Sequence, residues 1–159
     1  MKKVKNSSEK KTDNLKLNNK NGSRRLARKF IIQGVYQWLV SSTEKDEIEK
    51  FLSDQEKFKK SDVIYFRECF RNVIVNAKYL REVFVPFLND SLDRVSPVEH
   101  AVLLLGTYEL LFRTELPLQI VLNEAIEVDK MLGSNDGHKM INGVLNNVVC
   151  KLRRENERI

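Results

Sequence analysis

Three features of the sequence predict an all-α fold. Apolar residues recur at three- and four-residue spacing in every segment that carries them, the period of a helix buried along one side. Three prolines and six glycines in 159 residues are too few for a turn-rich β fold. The stretch from Ser96 to Cys150 reads as three consecutive helices, and the first of them organises the rest. At a helix's angular step Val98, Ala101, Val102, Leu104, Leu105, Tyr108, Leu111 and Phe112 cover most of its circumference. Glu99, His100, Thr107 and Glu109 interrupt that coverage, which is otherwise that of a helix enclosed by several neighbours. Ser96 as cap, Pro97 in the first turn and Glu99 at capping-box spacing specify where it starts.

Taken in order, residues 1–22 are rich in Lys and Asn with almost nothing to bury, and are expected to form a disordered basic tail. Ser23 then caps a helix with Ala27, Phe30, Ile31, Gly34, Val35 and Trp38 on one face. Its other flank is basic. Arg24 and Arg28 lie one turn apart, as do Arg25 and Lys29, and Tyr36 continues the edge of Arg25, Lys29 and Ile32. Ile48, Phe51 and Leu52 mark a short amphipathic helix within residues 44–58, with a loop near Lys59 and Lys60. Ser61 and Asp62 offer a cap for a long helix marked by Val63, Phe66, Phe70, Val73, Ile74 and Ala77.

Residues 79–89 continue as another helix, which Pro86 ends or kinks, leaving Phe87 and Leu88 beyond the bend. A polar linker runs to Val95, where the central helix takes over. After the short connection 113–117, Pro117 opens a helix that turns Ile120, Val121, Ala125, Val128 and Leu132 inward, and Gly133 closes it. Asn135 or Asp136 begins the last helix, which buries Ile141, Val144, Leu145, Val148, Val149 and Leu152 before a polar tail at 153–159.

Composition narrows the function classes. The net charge of +6 conceals an asymmetry: residues 1–29 hold eleven Lys/Arg against Glu9 and Asp13, a local +9, and the remainder carries seventeen basic and twenty acidic residues, −3. Any polyanion should therefore bind at the N-terminal end. The longest apolar run, from Ala101 to Gly106, is far too short for a bilayer, and no secretion signal opens the chain, so a cytoplasmic protein is expected. Cys69 and Cys150 have neither disulfide-framework nor CxxC spacing and are read as reduced thiols. His100 and His138 sit beside no nucleophile, HExxH pair or ligand cluster, and no phosphate-cradling glycine loop exists. Glu99 and Glu109 are ten residues apart on one helix, a capping or ion-pair arrangement rather than a paired-carboxylate site. No catalytic residue, metal or cofactor is expected. Arginines beside an outward aromatic suit RNA, since guanidinium forks grip phosphate and rings stack on bases, although the same pattern also describes an ordinary solvated helix face.

The segments RRLARKFIIQGVYQW (24–38), VEHAVLLLGTYELLFR (98–113), VLNEAIEVDKMLGSNDGHKM (121–140) and INGVLNNV (141–148) carry a more specific signal. In order and spacing from Arg24 to about Leu152 the sequence resembles the NusB family of bacterial transcription antitermination factors. The resemblance implies a NusB-like bundle of about seven helices in two helical subdomains, spanning residues 23–152, with no enzymatic activity. It implies binding to the boxA element of ribosomal RNA leader transcripts together with NusE, a small-subunit ribosomal protein. NusA, NusG and RNA polymerase would join through the antitermination complex, which promotes rRNA transcription. Carried over by residue, it assigns RNA contacts to Arg24, Arg25, Arg28 and the neighbouring Lys29, to Phe87 after Pro86, and to Asp136, Lys139 and Met140 at the start of the last helix. Many relatives place an aromatic where this chain has Met140, so a softer apolar contact replaces stacking there. Tyr36 and Glu99 match positions the family turns toward NusE.

Two other readings compete. An RNA-independent interaction scaffold would keep the fold, as helical domains of this kind also stand at the front of ribosomal RNA cytosine methyltransferases. The sequence ends at Ile159 with no cofactor-binding domain after the helices, which disfavours the methyltransferase itself. A helix-turn-helix DNA binder needs its basic residues on the second helix of a tight turn, whereas here they precede the first helix pair.

Overall fold

The structure, a computed structural model, describes residues 7–134 and 136–157. These residues form seven α-helices, α1 (Ser7–Val40), α2 (Lys45–Ser53), α3 (Val63–Val75), α4 (Ala77–Phe84), α5 (Pro97–Phe112), α6 (Leu118–Leu132) and α7 (Gly137–Glu157), with short 3-10 turns at Glu56–Lys60, Val85–Phe87 and Leu92–Arg94. No strand occurs among the described residues.

Local chemistry explains most boundaries. Asp62 caps α3 by accepting the Tyr65 N–H at 3.1 Å, and Ser96 caps α5 by accepting the Glu99 N–H at 3.2 Å. Gly133 closes α6, as expected, with its N–H on the Asp129 carbonyl at 2.6 Å. The expected single helix through Ala77 is instead divided at Asn76, whose φ of −97° and ψ of 8° leave the α region. Its backbone N–H and side-chain amide both donate to the Asn72 carbonyl, at 2.9 and 2.8 Å. Pro86 acts as predicted and tightens the end of α4 into a 3-10 turn.

The tail expectation is corrected at both ends. Residues 7–22 are helical and continue into the packed part of α1, and Ser23, expected as a cap, lies mid-helix with its hydroxyl donating to the Lys20 carbonyl at 2.9 Å. Lys10, Lys11 and residues 19–22 are exposed. Extending an existing helix costs no new nucleus and gains one hydrogen bond per residue. The last helix likewise runs to Glu157 rather than ending at Leu152. The rest of the expected tails, residues 1–6 and 158–159, and the alternative helix start at Asn135 lie outside the described residues.

Two lobes meet across α5, which touches α1, α3, α4, α6 and α7 and is buried at every position from Ala101 to Leu110. The N-terminal lobe is built on an aromatic chain in which Phe30 meets Phe58 edge-on at 5.4 Å, Phe58 meets Phe66 at 4.9 Å, and Phe66 stacks on Phe70 at 5.3 Å. The C-terminal lobe closes around Leu80, Phe84, Leu103, Leu104, Ile141 and Leu145, all fully buried. Phe51 and Ile120, expected inward, are 60% and 46% exposed. Each sits at the edge of its helix's apolar stripe, where Ile48 and Leu52, or Val121 and Ala125, already supply the buried contacts.

Close helix approach fixes one glycine. A methyl at Gly34 would lie 2.7 Å from Phe70 Cε2 and 3.0 Å from Leu52 Cδ1, whereas one at Gly143 would meet nothing within 4 Å. Gly34→Ala should therefore destabilise the fold by about 1–3 kcal/mol through overpacking. Gly143→Ala should stabilise it by about 0.5–1 kcal/mol through helix propensity. Urea unfolding of both variants checks the opposite signs.

Candidate nucleic-acid interface

The basic start of the packed part of α1 sorts its arginines by depth. Arg28 is 3% exposed, and its guanidinium grips Glu109 of α5, with Nε 3.1 Å from Oε1 and Nη2 2.8 Å from Oε2. The Tyr65 hydroxyl donates to the same carboxylate, and Arg28 Nη1 reaches Glu124 of α6 at 3.8 Å. Burial works against the Arg28 charge, but Glu109, Tyr65 and Glu124 outweigh it and hold the guanidinium firmly protonated. Burial first, then Glu109, push the Tyr65 phenol far up, so it remains a hydrogen-bond donor. The guanidinium carbons of Arg24, Arg113 and Arg28 stand 4.4, 4.9 and 5.4 Å from the centre of the Tyr65 ring.

The expectation that Arg28 contacts RNA is therefore corrected: its donors are spent inside the protein. Arg24 is half-withdrawn, 24% exposed, lying on Tyr65 and 3.4 Å from Asp62. Arg25 is the arginine of this group that the surface displays, 48% exposed, with a bidentate pair to Glu124 at 2.8 and 3.0 Å. That pair raises the guanidinium pKa and lowers that of Glu124, whose hydrogen bond to Arg25 is the largest influence on it. Arg25 stands at a groove of about 310 Å³ lined by Asn21, Arg24, Leu116, Pro117, Ile120 and Glu124, between α1 and the start of α6. Lys29 is partly exposed one turn further along α1.

The second cluster lies at the other end of α6. Asp136 and Lys139 are exposed at the start of α7, 3.7 Å apart, and Met140 lines a depression of about 340 Å³ with Leu88, Val95, Glu99, Ser134 and Gly137. Phe87 is partly buried and lines a separate hollow of about 330 Å³ with Lys151, Arg154 and Glu155 in the far half of α7. From Met140 to Lys151 is about 16 Å along the helix axis, so Phe87 and Met140 do not form one pocket. Lys151 and Arg154 are cations that sequence reading missed, because a distant segment brings the aromatic to them.

Glu99 departs from its expected role. It is 3% exposed, and its Oε1 accepts from the Ser134 N–H at 3.1 Å and hydroxyl at 3.0 Å, so it ties the start of α5 to the loop before α7 and does not face a partner. Tyr36 is 41% exposed, consistent with the outward position read from its helical register. Arg28 meets Glu109 while Ile32 meets Val102 and Leu105, so α1 and α5 run antiparallel and Tyr36 lies at the end where α5 begins.

Beside Glu99 sits Asp129, fully buried with neither carboxylate oxygen hydrogen-bonded. A methyl at Gly137 would collide with Glu99 Oε1 and lie 3.0 Å from Asp129 Oδ2, so both carboxylates converge on that glycine. Burial, then the charge of Glu99, raises Asp129 from 3.8 to about 6. His100 goes the other way: burial, then Arg81, whose Nε donates to His100 Nε2 at 3.1 Å, lowers it from 6.5 to about 4. No group of His, Cys, Asp or Glu able to hold a metal ion occurs among the described residues.

Removing one partner of the buried pair, in Arg28→Ala or Glu109→Ala, should cost about 3–5 kcal/mol. Arg25→Ala, which breaks an exposed pair, should change stability by at most about 1 kcal/mol in denaturant titrations. As pH falls below 6.5 the unfolded chain protonates His100 before the native state does, so His100 erodes stability down to about pH 4. Asp129 takes up its proton first in the native state, from about pH 6, and offsets that loss down to about pH 3.8. Asp129→Asn should therefore stabilise the protein by about 1–3 kcal/mol at pH 7.5 and steepen its acid loss. Unfolding free energies measured between pH 4 and about 7.5 test both signs.

Comparison with known proteins follows the same lines. The NusB family profile matches residues 25–150. The transcription antitermination protein NusB of Bordetella pertussis is 40% identical over 139 residues, covering 85% of this chain and 90% of that protein. Its counterpart in Shewanella amazonensis is 42% identical over 133 residues, covering 83% and 98%. Among solved structures, T. maritima NusB superposes with a TM-score of 0.67 at 28% identity over 79% of this chain and 89% of that one. A chain from the crystal structure of the antitermination factors NusB and NusE in complex with dsRNA reaches 0.71 at 22% identity over 78% and 93%, a likeness of fold. A profile that spans most of the sequence, together with relatives near 40% identity across more than four-fifths of it, establishes that the chain belongs to the NusB family.

Proposed function

We propose that this chain is a transcription antitermination factor that binds boxA RNA of rRNA leader transcripts together with NusE. Through NusE and RNA it would join NusA, NusG and RNA polymerase to promote rRNA transcription. Its relatives carry the name of that activity, and a related fold has been crystallised with NusE and dsRNA. The observation that carries the RNA reading is Arg25, displayed at the mouth of the α1/α6 groove with Asn21 and the exposed Ile120 beside it. A guanidinium held in place by one carboxylate keeps its outer edge and its flat face for a phosphate or an unstacked base. Lys29 extends the positive edge, while the exposed Lys139 at the positive end of the α7 dipole offers a second contact. Tyr36 is the candidate anchor for NusE.

One observation favours a second reading, an RNA-independent scaffold of the same fold: Arg24, Arg25 and Arg28 all pair with carboxylates, which leaves a narrower positive surface than the sequence implies. Titrating labelled boxA-like and scrambled RNA, with and without purified NusE, separates the two. Preferential boxA binding, strengthened by NusE and weakened about tenfold by Arg25→Glu, is the expected result. NusE binding with no RNA affinity would favour the scaffold, and equal affinity for scrambled RNA at moderate salt would remove the sequence-specific claim.

A further inference from the structure

Residues 7–22 of α1 precede the family-matched region and are in helical register with Arg25. At about 100° per residue, Lys11, Asn14, Asn18, Asn21, Arg25 and Lys29 occupy successive positions three or four residues apart along one edge of the helix. Lys10 is adjacent to that edge, and the acidic positions 9 and 13 fall about 165° and about 125° from its midline around the axis. Lys10, Lys11 and Asn21 are exposed, and Asn21 lines the groove that holds Arg25. From Lys11 to Arg25 the edge is about 21 Å long. A stripe of this spacing made of leucines would recruit another helix. Made of lysine, asparagine and arginine, it offers charge and hydrogen-bond donors to a polyanion and no apolar seam to a protein.

We infer that the N-terminal extension of α1 is a phosphate-binding track that carries the RNA strand onward from the Arg25 groove, so that the protein holds nucleotides flanking boxA without reading their sequence. The inference rests on the RNA-binding reading above and adds to it a length-dependent, sequence-independent contribution.

The test uses the full chain and two RNAs, a boxA-like oligonucleotide and the same sequence extended by about eight nucleotides at either end, each with a scrambled counterpart. The double variant Lys10→Glu/Lys11→Glu should leave the short RNA's affinity within about twofold and weaken the extended RNAs, boxA or scrambled, by about five- to tenfold. It should also flatten the salt dependence of the extended RNA by about 1.4 in log–log slope, the value for two lost single-strand phosphate contacts. Asn18→Pro keeps every charge and breaks the register, and should weaken extended RNA too. Equal losses on short and extended RNA, no loss in the double variant, or full affinity in Asn18→Pro would overturn the track. A wild-type chain without boxA preference whose extended-RNA affinity still depends on Lys10 and Lys11 would sink only the boxA reading. Intact boxA preference with no such dependence would sink only the track.

Discussion

The buried pair between Arg28 and Glu109 is the constraint on which the arrangement of this molecule depends. A guanidinium and a carboxylate withdrawn from water cost several kcal/mol each unless they face one another with their remaining donors and acceptors satisfied. Satisfaction here requires α1, α3, α5 and α6 at once, because Tyr65 completes the Glu109 carboxylate and Glu124 approaches the second edge of Arg28. A one-residue shift of α5 would set Tyr108 or Leu110 against Arg28 in place of Glu109. The aromatic chain from Phe30 to Phe70 supplies bulk burial, and the pair supplies register.

The same constraint shapes the surface. Once Arg28 turns inward and Arg24 lies on Tyr65, Arg25 is left at the rim, oriented by Glu124 on the neighbouring helix. A basic helix that would otherwise be a diffuse positive patch becomes one oriented guanidinium, with Lys29 behind it and a polar, helical extension ahead of it. Orientation costs part of the electrostatic reach, since Glu124 cancels charge locally, and lowers the entropy lost when a ligand fixes the side chain.

At the opposite end of α6 the balance is different. Glu99 is held by Ser134, but Asp129 is buried beside it with no partner and shares the space under Gly137. The junction that positions the start of α7 is thus electrostatically costly at neutral pH. Gly137 is required there because the carboxylates occupy the volume a side chain would need.

Much of this was legible in the sequence. The apolar periods gave seven helices and the enclosed α5, and Ser96, Asp62, Pro86 and Gly133 fixed boundaries because capping, ring closure and helix termination are local effects. Glu109, a carboxylate within an otherwise apolar helix, reads from the sequence as a capping or ion-pair residue whose partner is not apparent. What single-sequence periodicity could not provide was depth. Arg25 and Arg28 lie on the same flank of α1, and only the placement of α5 and α6 makes one a core residue and the other a surface one. Glu99 turned from partner contact to internal tie for the same reason, and Phe87 met Lys151 and Arg154 because the chain after Pro86 crosses a helix more than sixty residues later. By itself the sequence determined which segments between residues 23 and 152 are helical, and the family to which they belong. Tertiary structure decided which charges meet water, since burial is set by neighbours distant along the chain and a helical wheel holds no information about them.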